Sequence, residues 1–185
     1  MSESSINRQA VGLMKFIGMS AVLLLALTVL NWMPLSVQKS SVHTFTSIEE
    51  AKSQLGIRLV HVPVYFPEHL SWPPSQVIGQ IKPHEALVFI IEDKASHEPA
   101  LVVSQSASGE FDAAGRADVT MPSEVTSIPI KSRAATLKAG DCGNIKCSSI
   151  AWQEPDGKSV IHMKVLIMGS TTVELVRIAE SMVQQ

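Results

Sequence analysis

The chain has 185 residues and a formal net charge of −2 at neutral pH; 45% of its residues are apolar and 17% are charged. Its basic residues are scattered along the sequence. Because nucleic-acid binding relies on concentrated positive charge, we expect no nucleic-acid partner. The part of the chain beyond residue 35 is long enough for one ordinary domain and short for two.

The first predicted element is a transmembrane helix over residues 16–35. The segment carries no charged side chain, and about twenty helical residues rise about 30 Å, the thickness of a bilayer's hydrocarbon core. Phe16 and Trp32 lie near its ends, where aromatic rings favour the membrane interface. The alternative is a cleaved signal peptide, but the apolar stretch is longer than the core of such a peptide and no small-residue cleavage site follows it. We expect an uncleaved signal anchor.

The charges that flank this helix predict its orientation. Arg8 and Lys15 precede it, whereas Lys39 is the first charged residue after it, so the positive-inside tendency places the N-terminus in the cytoplasm. We therefore expect a single-pass protein of the inner (cytoplasmic) membrane whose main domain is periplasmic or extracellular. The predicted organisation, in chain order, is a cytoplasmic tail (residues 1–15), the transmembrane helix (16–35), a stalk (36–46) and an extracytoplasmic domain (47–185).

Two helices are predicted within this domain from their capping signals. Ser47 and Glu50 have the three-residue spacing of a capping box, and Gly56 is a typical residue just beyond a helix end. Thr171 and Glu174 repeat that spacing ahead of an apolar stripe, which predicts a longer C-terminal helix packed on a sheet.

The residues between the two helices predict β-structure. Ile161, Met163 and Val165 alternate with other residues and give one core-facing side. Residues 154–157 contain Pro and Gly as in a tight hairpin turn, and residues 107–122 are predicted to form a long loop. The predicted strands are residues 77–82, 86–92, 100–106, 125–138, 147–154 and 159–167. Together the elements predict an α+β fold, in which an antiparallel sheet carries a short N-terminal and a longer C-terminal helix on one face.

Several short motifs of the domain are similar to those of one family: Ser47-Ile-Glu-Glu-Ala51, Val62-Pro63 and Phe66-Pro67, Trp152 in a late strand, and Glu174-Leu175 followed by Ile178 to Met182. This combination resembles a family of uncharacterised bacterial extracytoplasmic domains, which occur behind membrane anchors and fused to lipoprotein-sorting-like or sigma-factor-regulating proteins. The resemblance implies a periplasmic or cell-surface α+β module without known enzymatic activity, and it supplies no catalytic residues. An anti-sigma role would need a cytoplasmic sigma-binding domain, whereas only residues 1–15 precede the predicted anchor.

Cys142 and Cys147 flank a four-residue stretch between two predicted strands. In an oxidising compartment, two cysteines that flank a hairpin loop most simply form a structural disulfide. Free thiols, a redox-active pair and a metal site are the alternatives. The spacing is not Cys-x-x-Cys, and a metal site with two cysteines needs two further ligands. Because the six histidines form no His-x-x-x-His pair, we expect no metal site and no cofactor.

Tyr65, Phe66 and Trp72 lie among prolines and are the candidate partner surface. One interpretation is that they pack an edge segment onto the core. The other is that they form an exposed aromatic and proline-rich surface for a partner protein, since aromatic residues are enriched in interface hot spots.

The leading functional hypothesis follows from the anchor and from the missing motifs. The predicted outer domain contains no Gly-x-Ser-x-Gly, Walker or Gly-x-Gly-x-x-Gly sequence, so we expect no catalytic residues and no enzymatic activity. We expect a membrane-anchored extracytoplasmic domain that binds a protein in or at the membrane, as an accessory, assembly or regulatory factor of the cell envelope. The alternatives are a carrier or sensor of an apolar ligand such as a lipid or acyl chain, and a thiol-redox role at Cys142 and Cys147.

Overall fold

The computed structural model describes residues 42–57, 60–82, 84–108, 119–157 and 159–183. The predicted cytoplasmic tail, the predicted transmembrane helix and residues 36–41 of the predicted stalk lie outside these ranges. No helix formed by the described ranges has both the length and the apolar character needed to cross a membrane.

The described part of the chain forms one antiparallel sheet and two helices, which confirms the predicted α+β class. The elements in chain order are β1 (Val42–Phe45), α1 (Ile48–Leu55), β2 (Gln76–Gln80), β3 (Ala86–Glu92), β4 (Pro99–Ser106), β5 (Met121–Ile130), β6 (Arg133–Cys142), β7 (Ile145–Asp156), β8 (Ser159–Met168) and α2 (Thr172–Met182). The strand order across the sheet is β1-β2-β3-β4-β8-β7-β6-β5. The first four strands therefore follow one another across one half of the sheet, and β8 joins that half to the second.

The short helix α1 begins and ends where its sequence predicts. Ser47 Oγ accepts a hydrogen bond of 3.0 Å from the backbone N–H of Glu50. The Glu50 carboxylate in turn accepts hydrogen bonds from the N–H and the hydroxyl of Thr46, one residue before the cap. Gly56 follows the helix with a φ of 69°, in the left-handed region that glycine adopts without steric cost.

The longer helix α2 is capped in the same way by Thr171, whose Oγ1 accepts a hydrogen bond from the N–H of Glu174. Its buried stripe includes Leu175, Ile178 and Met182. These side chains join the same core cluster as those of α1, so both helices pack on one face of the sheet, α1 over β1 and β2 and α2 over β5, β7 and β8. The predicted placement of the two helices is confirmed.

Three predicted boundaries are corrected. Val42–Phe45 lie within the predicted stalk, yet they pair with β2 as an edge strand because Phe45 joins the core. The single predicted strand 125–138 is two strands, since Lys131 adopts a φ of 49° and forms a two-residue turn with Ser132. The predicted loop 107–122 ends earlier, because its last two residues belong to β5.

The centre of the sheet is buried on both faces, as the apolar sequence of β3 predicts. Phe89 and Ile91 belong to the cluster under the helices, whereas Val88 faces the opposite side. There it joins a second, smaller cluster with Val102 and Leu166. The helix-covered face holds the larger core and positions the segment between α1 and β2.

Candidate partner-binding surface

The segment between α1 and β2 holds the three aromatic residues that the sequence singles out, and its backbone is fixed on both sides of Trp72. The N–H of Ser71 donates a hydrogen bond of 2.8 Å to the carbonyl oxygen of Glu92. The N–H of Ser75 donates one of 2.9 Å to the carbonyl oxygen of Ile90. Both acceptors lie on β3, so the buried centre of the sheet holds the turn that presents Trp72.

The Trp72 side chain is supported on one side and open to solvent on the other. Its ring centroid lies 4.8 Å from that of Phe66, and the two ring planes are tilted by 39°. Phe66 is half-buried and packs against the core. Trp72 itself remains 47% exposed. Core packing is therefore the role of Phe66, whereas the Trp72 ring faces outward, as the partner-surface interpretation requires.

The residues just before Phe66 extend this exposed apolar area. Tyr65 is 36% exposed and Val64 is 86% exposed. The N–H of Val64 donates a hydrogen bond of 3.2 Å to the hydroxyl of Ser181 near the end of α2, which fixes this end of the segment as well. Sequence reasoning missed Val64, because an aliphatic residue between prolines and aromatics carries no motif. We call Val64, Tyr65, Phe66 and Trp72 the Trp72 surface.

A small cleft of about 120 Å³ lies beside Trp72, between Pro73 and Pro74 on one side and the start of α1 on the other. Sites for small molecules usually enclose about 300–1,000 Å³. The cleft is therefore too small for such a ligand, but it has the size of a single side chain inserted by a partner.

The charge beside this cleft comes from two neighbouring carboxylates of α1. Glu49 lines the cleft and is exposed. The Glu50 carboxylate accepts hydrogen bonds from the hydroxyl and the N–H of Thr46. These bonds hold the pKa of Glu50 below its ordinary value. The edge of the cleft is consequently negative at neutral pH.

The two cysteines form a disulfide, as predicted, between the neighbouring strands β6 and β7. Their Cα atoms are 5.8 Å apart, and the bond closes the turn that contains Gly143 and Asn144. Cys147 is only 4% exposed and lies in the smaller core cluster. These positions favour a structural role for the pair over thiol exchange, which needs an accessible sulfur. Nowhere in the described ranges do three or more His, Cys, Asp or Glu side chains form a group that could hold a metal ion.

Side chains of the sheet and of both helices meet in one core cluster within the described ranges. Phe89, Ile150 and Leu175 are fully buried there. A carrier of a lipid or acyl chain needs an apolar cavity in this position, and the carrier hypothesis stays a prediction.

Comparisons of the chain with protein-family models, with characterised proteins and with solved structures found no match, so the family resemblance stays a prediction.

Proposed function

We propose that this protein is a membrane-anchored extracytoplasmic domain that binds a partner protein through the Trp72 surface and serves the cell envelope as an accessory, assembly or regulatory factor. The observation that carries the proposal is the exposed Trp72 ring on a backbone fixed by β3. The membrane attachment rests on the apolar sequence of residues 16–35. The partner is accordingly expected in or at the membrane.

The energetics of interfaces support this use of Trp72. Tryptophan and tyrosine are enriched among hot-spot residues, whose truncation costs about 2 kcal/mol or more of binding free energy. A residue held rigid before binding loses less conformational entropy when the complex forms. The hydrogen bonds of Ser71 and Ser75 supply this rigidity, and the adjacent side-chain-sized cleft offers a pocket for a partner residue.

The experiment compares two substitutions of exposed apolar residues in the full chain, purified from membranes in mild detergent. Trp72→Ser removes the centre of the proposed surface, whereas Val173→Ser changes a residue on α2 that is 63% exposed and outside that surface. We expect a stoichiometric partner to co-purify with the wild type and with Val173→Ser, and its yield to fall at least ~10-fold with Trp72→Ser, as a loss of about 1.4 kcal/mol or more requires. Equal yields from the two variants, or no stoichiometric partner with the wild type, would overturn the proposal.

A further inference from the structure

A separate cleft of about 410 Å³ lies where β8 leads into α2. Ser170, His69 and Asp93 line it together, although 101 residues separate the serine from the histidine along the chain. Ile145 and Met168 add apolar side chains to its wall. Its volume is within the usual range for small-molecule sites.

Ser170 occupies the turn between a strand and a helix. Gly169 has a φ of 68°, which allows the sharp turn after β8, and its N–H donates a hydrogen bond of 3.0 Å to the carbonyl oxygen of Lys146. Thr171, the next residue after Ser170, is the N-cap of α2. Nucleophilic serines of hydrolases also lie on strand–turn–helix elbows, where the hydroxyl projects and nearby backbone N–H groups can stabilise an oxyanion. The first-turn N–H groups of α2 begin at the residue after Thr171, and that of Glu174 already donates to Thr171 Oγ1.

His69 is within hydrogen-bonding distance of this serine. Its Nε2 lies 3.3 Å from the Ser170 hydroxyl oxygen, the separation of a nucleophile and its general base before substrate binds. The backbone around the imidazole is held in place, because the N–H of Lys94 donates a 2.8 Å hydrogen bond to the carbonyl oxygen of His69.

Asp93 supplies an anion to the cleft that His69 also lines. Its carboxylate accepts hydrogen bonds from the N–H groups of Ser96 and Ala95, at 3.0 Å and 2.8 Å. These bonds, and to a lesser degree the charge interaction with His69, hold the pKa of Asp93 below its ordinary value. The carboxylate is therefore ionised at neutral pH.

We propose that Ser170 is the nucleophile and His69 the general base of a hydrolytic site for carboxylic esters. His69 Nε2 takes the hydroxyl proton as Ser170 Oγ bonds to the ester carbonyl carbon, and it returns that proton to the departing alcohol as the ester C–O bond breaks. Water then attacks the acyl–serine, with His69 again as the base. The acid is released and the serine hydroxyl is restored.

The cleft's lining indicates which esters it takes. The carboxylates of Asp93 and Glu98 repel phosphate esters and other anions, so a neutral carboxylic ester is preferred. Ile145, Met168 and Pro99 offer apolar contacts to a short acyl chain. This activity is distinct from partner binding at the Trp72 surface, and it departs from the sequence-based expectation of a non-enzymatic domain.

The test uses the purified full chain with an uncharged fluorophosphonate probe and with p-nitrophenyl butyrate. We expect one probe molecule per chain, located on Ser170 by peptide mass spectrometry, which requires no variant. Ester hydrolysis is expected to fall on the order of 100-fold or more with Ser170→Ala and with His69→Gln. Ser123→Ala, on the distant strand β5, is the control and keeps the wild-type rate.

Three outcomes would overturn the inference. They are the absence of any adduct with wild-type protein, an adduct on a residue other than Ser170, and hydrolysis by folded Ser170→Ala at the wild-type rate. If Ser170 is labelled equally fast in His69→Gln, His69 is not the general base of the site. Circular dichroism of each variant separates a catalytic loss from misfolding, and none of these results bears on the co-purification test of Trp72.

Discussion

Gly79 determines how closely α1 approaches the sheet. The residue lies on the helix-covered face of β2, and a Cβ atom added there would overlap the Leu55 side chain and come within 3.1 Å of Phe45. The side chains of Leu55 and Phe45 both belong to the core that holds α1 on β1 and β2. A Cβ atom at this position would therefore force the Leu55 side chain to move.

We predict that Gly79→Ala lowers the free energy of unfolding by about 1–3 kcal/mol, because the added methyl group overpacks the contact with Leu55. The measurement is urea denaturation of the domain. In a Leu55→Ala background, Gly79→Ala should lower the free energy of unfolding by less, since the overlapping atoms are gone. If the losses of the two single variants add up to that of the double variant within about 0.5 kcal/mol, the overlap with Leu55 is not the cause.

Thr46 and Glu50 give the start of α1 a pH-dependent contribution to stability. Because the folded pKa of Glu50 is below its ordinary value, the contribution is present above the unfolded pKa of about 4.3 and is lost as the pH falls through the folded pKa. We predict that Thr46→Val lowers Tm near pH 7 and that the difference from wild type shrinks as the pH falls below the unfolded pKa of about 4.3. Thr46→Ser, which keeps the hydroxyl, is the control. A Tm difference independent of pH would contradict the role of the carboxylate.

At the scale of elements, the disulfide joins β6 to β7 at the closed end of their hairpin. We predict that replacing both Cys142 and Cys147 with Ser lowers the free energy of unfolding by about 2 kcal/mol, because the closed loop is short, and leaves the sheet folded. Denaturation of the wild type in the presence of a reductant should give the same loss. Unchanged stability in the double variant would show that the bond contributes nothing.

The outer strand β5 leaves one edge of the sheet unpaired within the described ranges, and proline interrupts that edge. A two-residue turn places Ile130 and Arg133 in a hydrogen-bonded pair. The next pair, Pro129 and Ala134, is then non-hydrogen-bonded, so the Pro129 nitrogen faces away from β6 and offers no donor to another strand.

We predict that Pro129→Val increases self-association, since it adds an outward N–H and removes a residue that blocks strand pairing. Thr136→Val is the matched control, because it adds the same side chain at an exposed position of β6 without freeing an edge N–H. Light scattering after size-exclusion chromatography measures the effect. If both variants self-associate equally, the added apolar side chain and not the freed edge N–H causes the self-association.

The elements that the sequence predicts well are those with local signals. Capping residues define both helices, and alternation defines the core face of β8. The β5–β6 hairpin was missed because its turn, Lys131-Ser132, contains neither Gly nor Asn. The strand β1 was missed because its role depends on pairing with β2, which the local sequence does not specify.

The candidate sites also differ in how far local sequence signals predict them. Tyr65, Phe66 and Trp72 are predictable as a group because aromatic residues among prolines are conspicuous in one segment. Which of them faces solvent depends on the packing of Phe66 against the core. The approach of Ser170 to His69 depends on the whole topology, so no local pattern could reveal it.

At the scale of the whole molecule, the described ranges form one core under two helices, and the functional candidates lie on the surface. The exposed Trp72 surface is held by hydrogen bonds to β3 and to α2. This rigid, exposed surface supports the proposed function in recognition.

Site-specific photo-crosslinking in intact cells tests partner binding through Trp72 most directly. A photoreactive phenylalanine analogue replaces Trp72 in one protein and Val173 in another. We predict a discrete crosslinked species from position 72, reduced when Val64 is also changed to Ser, and none from position 173. The absence of a crosslink from position 72, or the same species from both positions, would contradict the central claim.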